Sequence, residues 1–508
     1  MSAADVIYLD YAATTPVDPR VAARMADCLC SEGVFGNPAS THHYGRAARA
    51  QVEAARAQVA ALIGARPPEV IFTSGATEAD NLAILGIARG AAVRSRHVIT
   101  ARTEHKAVLD PCRQLEREGC AVTYLTPASG GCITPEQLSN ALQADTILVS
   151  LMHANNETGA IQDIAAFGAL CRAHGAAFHV DAAQGAGKLP IDVTAMNIDL
   201  LAFTAHKLYG PKGIGALYVH PTRRAGLQPL MFGGGHERGL RSGTLPVHQI
   251  VGFGIACEWA AAEMAAEATR LADLREKLWA GIADLPGVLL NTSRCDSLPG
   301  ILNVSFAGIE GESLLFGLAE LAVASGSACN SDSDEPSYVL RALGRDRETA
   351  QSSLRFSLGK GTAEADIRRT IVAVRREVLR LRTLAGATPI DTGRVVTVSG
   401  EAGAREQGTW VRFMLSTRGE RIEAASHQVF GCPSTAAVCD WLVAQLKGRL
   451  WVEPGVGGPE EWARTLEIPL DRLTRLLVVE DALRLALEGA VRQSGETSTM
   501  VPTGRPLP

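Results

Sequence analysis

From the start of the chain to about residue 384, short apolar runs alternate with longer helical patterns, and this alternation constrains the fold more than any other feature. Examples are Val70-Ile71-Phe72, Val98-Ile99-Thr100, Ile147-Leu148-Val149 and Phe178-His179-Val180. Their alternation with helices predicts a mostly parallel sheet wrapped by helices. Residues 252–283 read as one long amphipathic helix or a broken pair. Beyond Gly300 the pattern becomes mixed, with strands expected at 301–306 and 353–357 and a last helix over 364–382. The expectation is an α/β body over 1–385, with a large domain over about 15–258 and a small α+β domain from about 1–14 and 259–385.

A chain of 508 residues exceeds the roughly 250–300 at which one core stops growing, so further domains are expected. After residue 384 the composition shifts to Ala, Gly, Thr and Pro, which reads as a linker over 386–408. A second unit is expected over 409–491: a strand pair at 410–416 and 421–430 around the turn 417–420, then helices at 435–447 and 470–488. The polar tail 492–508 reads as disordered. No internal repeat is visible.

Apolar residues make up 46% and charged residues 20%, a soluble globular balance, and the formal charge of -5 leaves no electrostatic footprint for nucleic acid. The arginines 375, 376, 380 and 382 lie on a helical pattern and read as a solvated face. No apolar stretch reaches the roughly 18 residues a membrane span needs, and no signal-peptide pattern is seen, so a cytoplasmic location is expected. The 11 cysteines are scattered without C-x-x-C pairs, which argues for a reduced compartment and against a metal site.

Two strand ends carry chemistry. One run, Phe178 to Gln184, is a buried strand ending at Asp181, where a carboxylate is costly unless it meets a cation. The other, Leu201 to Gly213, ends at His206-Lys207 before a glycine-rich turn. Either signal alone says little. Together they suit pyridoxal phosphate, which a lysine holds covalently and an Asp engages at the ring nitrogen. The stretch Thr73 to Leu82 adds small polar residues ahead of an apolar helix, a cradle for phosphate, to which Thr204 and His206 can contribute.

Longer strings carry a family resemblance: Tyr8 to Asp18, Gly36-Asn-Pro-Ala-Ser40, Thr103 to Val108, Gly233 to Pro246 and Ser325-Gly-Ser-Ala-Cys329. Over 8–384 the chain resembles the IscS/NifS-type cysteine desulfurases, fold type I pyridoxal-phosphate enzymes of the class V aminotransferase group. The resemblance implies Lys207 as the Schiff-base lysine, Asp181 at the pyridinium and Gln184 at the ring hydroxyl. It implies His105 as the imidazole that stacks on the ring and moves protons, and Ala76, Thr77, Thr204 and His206 as the phosphate cup. Thr244 would reach the partner subunit's phosphate, so a homodimer is implied. Asn156 and Arg355 would sit near the substrate carboxylate, for which a planar guanidinium is suited. Where the family usually has Ser-Gly-His before the lysine, this chain has Thr204-Ala205-His206.

Cys329 sits among small and polar residues, 324–336, that cannot pack a core, and reads as a thiol on a mobile loop. An ordinary thiol is only a few per cent ionised at neutral pH, and His105 is the candidate proton acceptor. The implied reaction takes sulfur from L-cysteine onto Cys329 as a persulfide and leaves alanine. Sulfur would then go to an iron-sulfur scaffold or other acceptor proteins, with Cys329 a candidate transient iron-sulfur ligand. Other class V reactions, a selenocysteine lyase or an aminotransferase, compete with this reading, and so does a sulfur-delivery scaffold. A transaminase needs no mobile thiol, and the set Lys207, Asp181, His105 and Cys329 argues against a mere scaffold.

Residues 408–490 resemble the IscU/NifU-type iron-sulfur scaffold through Val429 to Ser434 and Glu480 to Leu483. The first Ala-Cys-Gly-Asp motif is missing, and Thr474-Arg475 stands where the family has His-Cys. Only Cys432 survives, with Cys439 and His427 as the remaining candidate donors, and one thiolate does not fill a cluster's four positions. The expected role for Cys432 is a sulfur relay from Cys329.

Overall fold

The computed structural model describes residues 6–91, 96–128, 130–291, 297–325, 335–384, 395–418, 421–451, 455–469 and 472–496. The chain divides into two compact units, one of residues 1–277 and 287–367, the other of 278–286 and 368–508.

The first unit is built on a seven-stranded sheet. Its spatial order is Val70–Thr73, Gly215–Val219, Leu200–Thr204, Ala177–Asp181, Thr146–Met152, His97–Ala101 and Ala121–Leu125. All neighbours pair in parallel except around Gly215–Val219, which is antiparallel to both its partners. Alternate strand residues feed two separate cores: Phe72, Ile99, Val149, Phe178, Val180 and Phe203 in one, Ile71, Val98, Leu148, Ala177 and Leu200 in the other. That double burial suits these mostly apolar runs, in which even His179 and Thr100 are buried.

The expected mixed region forms a four-stranded antiparallel sheet, Ala324–Ser325, Ser353–Ser357, Ile301–Phe306 and Val288–Leu290. The long helix runs unbroken over Val247–Ile282, and the last expected helix spans Glu364–Leu384. Parallel strands present their C-terminal ends along one edge, the usual place for a ligand in such sheets. Asp181 and Thr204 are the last residues of their strands.

The second unit holds a three-stranded antiparallel meander, Val395–Ala404, Thr409–Arg418 and Arg421–Phe430. Val398, Val411, Phe413 and Leu415 bury one face against Val438, Leu442, Trp462 and Val479 from the helices Pro433–Leu446, Pro459–Thr465 and Leu473–Glu496. Two expectations are corrected here. The stretch read as linker to 408 contains the first strand and the turn Arg405–Gln407. Its Gly400 lies so close to the helix that a Cβ there would meet the Ala486 nitrogen at 2.1 Å, so glycine serves packing rather than flexibility. The helix Leu473–Glu496 also runs past 492, where the tail was expected to begin. Among the described residues no helix is long and apolar enough to cross a membrane.

Candidate functional site

The strand ends open on a cavity of about 630 Å³. Its walls include Ala76, Thr77, His105, Asn156, Asp181, Gln184, Thr204, His206, Lys207 and Arg355. The fold thus gathers most of the expected site residues from separate strand ends, one helix start and the antiparallel sheet. Thr244 is exposed and is not part of this wall. Cys329 lies outside the described residues; Ala324, in the short strand that leads toward it, lines the cavity.

Lys207 follows the strand Leu200–Thr204 in a short turn, and its Nζ donates to the carbonyls of Ala12 and, at 2.8 Å, Ala13. Asp181 is 5% exposed, and its Oδ1 accepts the Ala183 N–H at 2.8 Å. Burial pushes its carboxyl up, while the Ala183 N–H and the charges of His105 and Lys207 pull it back. Asp80, also in the cavity wall, is fully buried; neither of its oxygens has a hydrogen-bond partner, and His179 Nε2 lies 3.4 Å from its Oδ1. Burial, with Asp181 and Glu104 nearby, raises Asp80 well above the usual carboxylate range. A cavity wall so rich in buried carboxyls suits a cationic ring nitrogen.

At the opposite wall the helix Ala76–Gly90 begins with no side-chain cap, so its first N–H groups are left for a ligand. The approach there is tight: a Cβ on Gly215 would lie 2.7 Å from the Gly75 Cα. Thr204 and His206 flank this end. Burial, with Lys207 and Lys212 near, brings His206 down to about 4, so its ring is neutral. An amine, a buried carboxylate and an uncapped helix end within one cavity fit the aldehyde, ring nitrogen and phosphate of pyridoxal phosphate.

Arg355, on Ser353–Ser357, donates through Nη1 to the Asn156 carbonyl at 2.8 Å and through Nη2 to Asp10 Oδ1 at 2.7 Å. Its Nε is buried and has no hydrogen-bond partner, while the residue lines the cavity, where a planar guanidinium suits a carboxylate. His105 caps the helix Lys106–Arg117 by accepting the Ala107 N–H at Nδ1, 3.1 Å. Burial lowers its pKa, and with Nδ1 accepting from Ala107 the neutral ring carries its proton on Nε2.

Sequence reasoning missed Asp10, Asp80 and Lys188. Asp10 stood inside a quoted motif, and Lys188 lies one helical step from Gln184, a spacing that signals contact only once a turn is known there.

In the second unit Cys432 caps the helix Pro433–Leu446, with Sγ 3.3 Å from Thr435 Oγ1. Burial would raise this thiol, but the Thr435 hydroxyl and N–H, Arg475 and the Ser434 N–H outweigh it and bring the pKa to about 6. Cys439 is instead packed in the core and pushed up to about 12, while His427 Nε2 lies 2.9 Å from Asp440. Among the described residues no three His, Cys, Asp or Glu stand together as a metal site.

The aminotransferase class V family model matches residues 7–370. The chain is 59% identical over 379 residues, 74% of its length and 94% of the relative's, to a protein of Pectobacterium atrosepticum named cysteine desulfurase IscS. A solved NifS-like protein aligns at TM-score 0.69 and 36% identity, covering 74% of this chain and 100% of that one. A structure titled SspA in complex with cysteine aligns at TM-score 0.62 and 39% identity, covering 69% and 98%.

Proposed function

This chain belongs to the class V aminotransferase family, among the cysteine desulfurases of the IscS and NifS type, and we propose that it moves sulfur from L-cysteine to Cys329 with pyridoxal phosphate held in the 630 Å³ cavity. The observation that carries this reading is the meeting of Lys207, buried Asp181, the uncapped helix end and Arg355 in that one cavity. When bound, the cofactor supplies an aldehyde and a cationic ring that draws electrons from the amino acid's α-carbon.

The chain's own groups then have these roles. Asp181 holds the charge of the ring nitrogen, Gln184 meets the ring oxygen, and Ala76, Thr77, Thr204 and His206 hold the phosphate. Arg355, braced by Asp10 and the Asn156 carbonyl, binds the substrate carboxylate. Lys207 Nζ carries the cofactor and takes the α-proton, and His105 accepts the proton of a thiol at Nδ1, which exchanges the Ala107 N–H for it. The Cys329 thiolate attacks the substrate sulfur: an S–S bond forms, the C–S bond breaks, and its electron pair returns to carbon, where a proton completes alanine. One cysteine and one thiol become one alanine and one persulfide. Thr244, exposed on its own protomer, serves the partner subunit's phosphate in a homodimer.

Persulfide sulfur passes to iron-sulfur assembly or other acceptor proteins in the cytoplasm. Residues 409–491 act as a degenerate scaffold-like domain, with Cys432, ionised near neutral pH, as a sulfur relay. The deciding assay is alanine release from L-cysteine together with persulfide mapping by mass spectrometry. Lys207→Ala loses the borohydride-reducible colour and at least about a thousandfold in rate. Cys329→Ser keeps the colour and forms no persulfide; alanine at the wild-type rate from that variant contradicts the assignment of Cys329.

A further inference from the structure

Lys188 is a half-buried lysine, and among the described residues it has no ion-pair partner. Burial, with Lys207 and Arg355 nearby, brings its pKa down to about 7. An unpaired buried cation is costly. Its one hydrogen bond runs from Nζ to Gln184 Oε1 at 2.9 Å.

Gln184 is 4% exposed and lines the cofactor cavity. Its Nε2 donates at 2.8 Å to the Ala12 carbonyl, which also accepts from Lys207 Nζ. An ammonium only donates and a peptide carbonyl only accepts, so a donor at one end and an acceptor at the other leave the amide a single orientation. With Oε1 committed to Lys188 and one Nε2 hydrogen to Ala12, the second Nε2 hydrogen is what Gln184 can offer the cavity. The placement follows from the local turn after Asp181, where Ala186 N bonds Ala182 O and Leu189 N bonds Gly185 O. Residues 184 and 188 therefore face each other one turn apart.

We propose that Lys188 is a positioning residue that locks Gln184 as a hydrogen-bond donor to the cofactor's ring oxygen, so that the oxygen is held without its proton. This rests on the reading of the cavity as the pyridoxal phosphate site. Without Lys188 the Ala12 carbonyl alone is left to hold the amide's orientation, and any turn of the amide carbonyl toward the ring favours the protonated form of that oxygen.

The test is a pH titration of the visible absorption of the holoenzyme. Lys188→Met keeps the length and burial of the side chain and removes the donor. Its chromophore should titrate at least about one pH unit higher than wild type, a tenfold change in the protonated fraction. Gln184→Glu, which places acceptors there whatever Lys188 does, should shift at least as far, and Lys188→Arg should restore the wild-type curve. A Lys188→Met curve superposable on wild type, with Gln184→Glu shifted, overturns the positioning role while leaving the cofactor site standing. If neither variant shifts, Gln184 does not face the ring oxygen, and the proposal falls with that part of the site. Failure of wild-type apoprotein to bind pyridoxal phosphate, read by its fluorescence, overturns the cofactor reading itself.

Discussion

On the cavity wall of the sheet-based unit burial displaces Asp80 and Asp181 upward and His105 and His206 downward. In the C-terminal unit Cys432 goes the other way, to about 6, because hydrogen bonds at a helix start and Arg475 outweigh its burial. Burial disfavours the charged forms of these groups until a charged ligand arrives, so the large cavity suits a cofactor. Hydrogen bonds at a partly exposed helix end need no ligand, so Cys432 is a thiolate on its own. One region is completed by what binds; the other is reactive as folded.

The strongest way to break this contrast is Asp181→Asn. If the buried carboxylate exists for a ring cation, this variant should lose about a hundredfold or more in rate and bind pyridoxal phosphate more weakly, measured by alanine release and by cofactor titration. Activity within twofold of wild type contradicts the role. Arg355→Lys sharpens the same side: losing the planar fork should raise KM for cysteine about tenfold, with kcat changed less. An unchanged KM means the substrate carboxylate binds elsewhere.

The smallest expected effect tests the other region. Alkylation of Cys432 by iodoacetamide, followed by peptide mapping, should rise with pH through about 6. Arg475→Gln should move that midpoint up by a few tenths to about one unit. A midpoint near 8.5, the ordinary thiol value, removes the contrast. The linked stability has a definite sign: a folded pKa below the unfolded one stabilises the protein above the unfolded value, and this is lost as pH falls through about 6. Cys432→Ser should therefore flatten the pH dependence of thermal unfolding between about 6 and 8.5.

Much of this was legible along the chain. Runs such as Phe178-His179-Val180 marked the strands, and Asp181 and Lys207 at strand ends marked the cofactor chemistry, because both signals are local. The strand Val395–Ala404 was not legible, because its Gly, Ala and Ser content matches a linker and only packing against Ala482 and Ala486 makes it a strand. Spacing likewise did not reveal that Asp10 braces Arg355 across 345 positions of sequence.

Sequence alone therefore determined the class of fold, the family and the residue types that hold a cofactor, since periodicity and motifs need only neighbours along the chain. Tertiary structure alone decided which carboxyls and which guanidinium nitrogen lose their hydrogen-bond partners, and which way the Gln184 amide faces. Those properties depend on desolvation and on donors and acceptors brought together from distant segments, and neither quantity exists until the chain has folded.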